Sequence, residues 1–265
     1  MIRATVLSEW TKFRSQRGTL IALGAMCALM IGMTAFAASE AHTDAVLAGD
    51  DDVVQLALAG VVFAALAAVV LGASLITSEY STRMIRTTLT ATQGRGHVLA
   101  AKALVLGLVT FPLALAASAL TFVIAQPLLH DGGYVAPAYP PVSITDPGAA
   151  RAVAGTALLL TAYCLIALGL GTIIRHSGAT IATGVAIVFL PILMLGLFPH
   201  HVRERIEQFS PLAGIAVQST TGRMLSAFDG SRGMPIGPWQ GLGVAYAWAL
   251  GLLTAGYLLL RARDA

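Results

Sequence analysis

Glu79, Arg83 and Arg86 recur at spacings of four and three within the stretch 78–89, so a helix there carries one acid and two guanidinium groups on one face. Glu79 stands N-terminal to Arg83, the favourable order for a pair across one helical turn. Met84, Ile85 and Leu89 add apolar contact, and Gly94 and Gly96 mark a turn back. Charge beside apolar surface suits docking to another protein rather than bond-making. A plainer reading stands equally open, in which the arginines only hold this loop on one side of a membrane. His200, His201 and Glu204 come nearest to a metal cluster, with His200 and Glu204 sharing a face if that segment is helical. So few ligands in a polar loop are a weak metal signal, and loop histidines are far more common than metal sites.

Signatures of catalysis are missing. The chain contains no His-Glu-x-x-His zinc motif, no Gly-x-Ser-x-Gly elbow and no phosphate-binding Gly-x-x-x-x-Gly-Lys-Ser/Thr loop. An ATP-driven activity therefore needs its hydrolysis on a separate chain. The chain itself reads as a non-catalytic membrane subunit.

The elements that must position these residues are apolar. Six runs, at about 19–38, 53–77, 103–129, 152–174, 177–199 and 239–260, each approach the ~20 residues of a spanning helix. None holds Asp, Glu, Lys or Arg. The expected fold is an all-α integral membrane protein with six spans and one permease domain over 1–265, five or seven spans being the alternatives. Ion-coupled transporters and intramembrane hydrolases keep ionisable groups at membrane depth, so both classes are disfavoured.

Orientation follows from the basic residues. With a cytoplasmic N-terminus, the inner segments hold 11 Lys and Arg against three acids, net +8, and the outer loops hold five against ten, net −5. The basic bias places both termini in the cytoplasm of a multi-pass protein of the cell membrane. Loop 39–52, with five acids and no base, is the clearest outward segment. Loop 200–238 votes weakly the other way through Arg203, Arg205, Arg223 and Arg232, but long loops tolerate translocated charge. The overall charge of +3 calls for no nucleic-acid partner.

Residues 1–18 place Ile2, Val6, Trp10 and Phe13 on one helical stripe, with Arg14 and Arg17 next to the first span. This reads as an interfacial helix, or as a plain positive anchor. Ala35-Phe36-Ala37 looks like a signal-peptidase site, but the long preceding segment with Glu9 and Trp10 suits an uncleaved anchor. Arg175-His176-Ser177-Gly178 is short enough to make spans four and five a tight antiparallel hairpin. The loop 131–147 reads as irregular, and the apolar stretch 209–217, too short to span, as a re-entrant or surface segment before the last helix. Cys27 and Cys164 lie inside apolar runs and read as small hydrophobes.

Two segments resemble a known family. Ser8-Glu9-Trp10-Thr11-Lys12-Phe13-Arg14-Ser15-Gln16-Arg17 before the first span, and Glu79-Tyr80-Ser81-Thr82-Arg83-Met84-Ile85-Arg86-Thr87-Thr88-Leu89 after the second, are similar to the type-2 ABC transporter permeases of actinobacteria. The resemblance implies a dimer of six-helix permeases, either homodimer or related heterodimer, with two copies of a separate ABC ATPase that carries ATP and Mg. This chain would hold no cofactor. It also implies that Trp10, Phe13, Arg14 and Arg17 lie along the inner membrane surface. A coupling helix with Glu79, Tyr80, Arg83, Met84, Arg86 and Thr87 would sit in a cleft of the ATPase.

Cargo is less legible. Gln55, Phe63, Ser74, Thr180, Thr183 and Phe189 on spans two and five are candidate path residues, and apolar walls with scattered hydroxyls suit a lipid, antibiotic or peptide leaving the cell. Span hydroxyls more often bond to their neighbours than to cargo. The alternative function is a non-transporting scaffold or sensor subunit with the same topology.

Overall fold

The computed structural model describes residues 2–43, 51–81, 95–194, 200–221 and 236–262. Among them the elements are α1 (Ile2–Ser15), α2 (Arg17–Glu40), α3 (Val53–Leu56), α4 (Val61–Ser81), α5 (Arg95–Asp131), α6 (Pro147–Ile174), α7 (Ser177–Met194), α8 (His200–Phe209), the 3-10 helix η1 (Pro211–Gln218) and α9 (Pro238–Ala262). No strand occurs among the described residues. Five helices, α2, α4, α5, α6 and α9, are long and apolar enough to cross a membrane. α7 is a shorter apolar helix, and the end of its predicted run, residues 195–199, lies outside the described residues.

The helices depart from the predicted runs where backbones meet. The run 53–77 is broken at Ala57 to Gly60 into α3 and α4. The break brings Gly60 against α2, where its N–H donates to Thr34 Oγ1 at 2.8 Å and a Cβ would strike the Met30 carbonyl. The predicted turn at Gly96 lies inside α5, because the helix starts at Arg95 rather than near 103 and runs for 37 residues. At 1.5 Å per residue it is ~55 Å long, well beyond a ~30 Å hydrocarbon core. Gly96 is small because the Tyr257 ring of α9 occupies the space a Cβ would take.

α6 is the centre of the bundle and packs on α4, α5, α7, α9 and η1. Between apolar helices in lipid, attraction rests on close van der Waals contact, and small residues permit it. Gly72 of α4 lies against the Cys164 carbonyl of α6, while Gly169 of α6 and Gly256 of α9 let those two helices touch along Leu252 and Thr172.

At the end of the bundle away from α1, η1 is buried along its whole length between α6 and α9. Polar groups meet the wedge and the helix end just before it: Trp248 Nε1 donates to the carbonyl of Phe209, the last residue of α8, at 2.8 Å, and Gln218 Nε2 to Thr156 Oγ1 at 2.8 Å. The stretch 209–217, expected as re-entrant or surface helix, is thus largely a buried 3-10 wedge, with Phe209 itself 66% exposed.

Asp52 ties this wedge to α3. It caps α3 by accepting from the N–H groups of Val54 and Gln55, and accepts from the backbone N–H and hydroxyl of both Thr220 and Thr221. Hydrogen bonds to a charged acceptor contribute about 1.5–3 kcal/mol each when buried. Asp52→Ala is expected to destabilise the bundle by about 2 kcal/mol or more and to speed amide exchange at Thr220 and Thr221, as read by hydrogen–deuterium exchange.

Candidate functional site

The last turn of α4, directly before residues 82–94, is where charges gather. Lys102 of α5 places Nζ 2.5 Å from Glu9 Oε2 of α1 and 2.7 Å from Glu79 Oε1 of α4. Lys12 of α1 places Nζ 2.9 Å from Glu9 Oε1 and 3.1 Å from the same Glu79 oxygen. Each ammonium therefore bonds both carboxylates, and the four formal charges cancel. Glu9, Glu79 and Lys102 are at most 3% exposed.

Local structure brings these groups together. Glu9 and Phe13, four residues apart, share the face of α1 that packs on α5, and both are buried. Lys102 lies within the part of α5 that precedes its predicted span. Burying an ion costs several kcal/mol after relaxation, so a single pair here would be marginal; the shared geometry, with each charge bonded twice, offsets that cost. For Lys12, burial pulls the pKa down, while the hydrogen bond to Glu9 and the charges of Glu79 and Glu9 outweigh it, so the net direction is up. This contribution to stability is complete below the ordinary 10.5 and is lost only as pH rises through the higher folded value.

A further group reaches the same turn from the α6–α7 connection. Arg175 adopts the left-handed conformation, with φ 61°, which ends α6 with its N–H on the Gly171 carbonyl. Its guanidinium carbon lies 5.3 Å from the centre of the Tyr80 ring, a cation–π contact. His176 Nδ1 in turn accepts from the Ala179 N–H and starts α7. The end of α4 is thus held by α1, by α5 and by the hairpin turn. Among the described residues this arrangement places no nucleophile beside a base; what it does is hold the end of α4 in position.

Of the predicted coupling residues, Glu79 and Tyr80 belong to this site, while Arg83, Met84, Arg86 and Thr87 lie outside the described residues. Glu79 is turned into the bundle toward Lys12 and Lys102 and is buried, which corrects its expected place on an exposed docking face. Burial beside two ammonium groups is the physical reason. The predicted interfacial stripe also divides: Trp10 is 45% exposed, as are Arg14 and Arg17 in large part, but Phe13 is 2% exposed and belongs to the core. Sequence reading missed Glu9, Lys12 and Lys102 as site residues. The available signal was that Glu9 and Glu79 are two of only three acids on the basic side of the chain. The side chains of His200, His201 and Glu204 lie outside the described ones.

The model of the family described as ABC-2 family transporter protein matches residues 5–138, just over half of the 265, and takes in all four members of the charge cluster. The chain belongs to the ABC-2 transporter family. No curated protein matches it. As an ABC-2 protein it is a type-2 ABC permease, a multi-pass membrane component of transport.

In this permease the six candidate path residues stand in different surroundings. Phe189 lines a void of about 10 Å³ with Val61, Tyr163 and Leu212, room for little more than one water. Gln55 is buried on α3, Phe63 is 41% exposed on α4, and Thr183 is half-buried on α7. Ser74 and Thr180 direct their hydroxyls back to the carbonyls of Leu71 and His176 at 3.0 and 2.8 Å. Such bonds within or at the start of a helix satisfy the hydroxyl without cargo.

Proposed function

We propose that this permease is the transmembrane subunit of an ATP-driven exporter that moves a hydrophobic or amphipathic substrate, a lipid, antibiotic or peptide, outward. It works as a dimer of permeases with two copies of an ABC ATPase, which carries ATP and Mg. It lies in the cell membrane with both termini in the cytoplasm. The observation that carries the reading is the convergence of α1, the start of α5 and the α6–α7 turn on the last turn of α4, immediately before residues 82–94. A push delivered to 82–94 by a closing ATPase pair would reach three helices at once through Glu79 and Tyr80. Packed helices respond to such a push by rigid-body movement.

The test is copurification of the tagged full chain from its host in detergent, with turnover of the eluate measured. An ABC ATPase near one copy per permease, with vanadate-sensitive hydrolysis, supports the reading; the intact folded chain alone overturns it in favour of a scaffold or sensor. The double variant Arg83→Glu/Arg86→Glu is expected to lose ATPase recovery at least ~10-fold, since like-charge juxtaposition at an interface costs several kcal/mol. Membrane insertion of that variant, scored in the same cells by protease protection, is expected to be unchanged. Normal recovery of the ATPase would remove these arginines from the coupling surface.

A further inference from the structure

A cleft opens between the first turns of α5 and the last turns of α9, at the same end of the bundle as the charge cluster. Its volume is about 620 Å³, within the ~300–1,000 Å³ range of small-molecule sites. The walls are apolar, formed by Leu99, Ala103, Leu250 and Leu253, while His97 and Arg261 line its polar part. Gly96 allows the Tyr257 ring to close against α5 and floor the cleft. Among the described residues neither Arg261 nor His97 takes part in a salt bridge.

The arrangement is two-part. An apolar trough runs along helices that cross the membrane, and a cation stands at the level where α9 gives way to its charged end, Arg261 and then Arg263. In a bilayer this is the depth at which acyl chains meet phosphates, and basic pockets between transmembrane helices on the cytoplasmic side suit anionic head groups. Charge therefore selects one occupant from the lipids around the protein. We propose that the cleft between α5 and α9 is a binding site for one anionic phospholipid of the inner leaflet. Its phosphate pairs with Arg261 beside His97, and an acyl chain lies along Leu99, Ala103, Leu250 and Leu253. The lipid bridges α5, which carries Lys102 of the charge cluster, to α9. The site depends on the orientation proposed above but not on the ATPase or the cargo.

The test is native mass spectrometry of the full chain, stripped of lipid in detergent and titrated with phosphatidylglycerol or with phosphatidylcholine of the same acyl chains. One phosphatidylglycerol is expected to bind at least ~10-fold more tightly than phosphatidylcholine. Arg261→Gln/His97→Gln is expected to abolish that preference. Ala100→Phe, which adds a ring to the cleft from an exposed position without altering charge, is expected to displace the lipid. Equal affinity for the two lipids overturns the proposal, and so does a preference that survives either variant. If the charge variant does not fold, Ala100→Phe decides alone. Copurification of an ATPase is scored separately, so a failed lipid site and a failed exporter reading are distinguishable.

Discussion

Lys102→Leu is expected to destabilise the N-terminal half of the bundle by about 3–5 kcal/mol. The substitution leaves Glu9 and Glu79, each at most 3% exposed, to share Lys12 alone. Removing one partner from a buried ion network costs about 3–5 kcal/mol, because the two carboxylates left behind are poorly hydrated and have one ammonium between them. Against typical stabilities of about 5–15 kcal/mol, that is a large fraction. The measurement is the fraction of chain that stays monodisperse in detergent through a thermal ramp. A second variant separates charge from packing: Lys102→Leu combined with Glu9→Gln and Glu79→Gln removes the stranded charges and is expected to recover most of the loss. If Lys102→Leu alone melts like the parent, the cluster is not what holds α1 and α5 to α4.

The second large effect belongs to the contact between α4 and α6. Gly72→Leu is expected to yield no folded bundle, and even Gly72→Ala to cost about 1–3 kcal/mol, the usual price of overpacking a filled interior. The added Cβ would meet the Cys164 carbonyl, which is backbone of the central helix and cannot swing away. Gly24→Ala and Gly32→Ala on α2 provide the contrast, since nothing lies within 4 Å of either position. Those two variants are expected to melt at or slightly above the parent temperature, because alanine favours helix over glycine by up to ~1 kcal/mol. Equal effects at Gly72 and Gly24 would mean that helix propensity, rather than the α4–α6 contact, governs both sites.

These contrasts show which parts of the molecule were open to sequence reading. Helix kind was legible because lipid forces every spanning backbone to satisfy its own hydrogen bonds, so long uncharged runs have one solution; five of the six predicted runs hold described helices long and apolar enough to cross, and α7 is shorter. Helix ends were not, because they depend on partners far along the chain. α3 and α4 separate where Gly60 meets Thr34, and α5 includes residues ahead of its predicted run, with Gly96 against Tyr257. The site was half legible for the same reason. Glu79 stood out in its segment, but its carboxylate bonds Lys12 and Lys102, 67 and 23 residues away, and helical periodicity carries no information about either. Phe13 was assigned to the membrane surface with Trp10 by a stripe that the fold divides between core and exterior. Short-range spacing says which residues share a face; it does not say what that face meets.

The two polar fastenings of the bundle differ in how long the chain must be before they can close. Once Lys102 has been synthesised, the cluster with Glu9 and Glu79 has all its members, and α1, α4 and α5 can lock while the ribosome is still at work. The carboxylate of Asp52 must wait for Thr220 and Thr221, 168 and 169 residues further on. The end bearing α1 can therefore be fastened before α6, η1 and α9 exist, whereas the far end cannot close until Thr221 has been made.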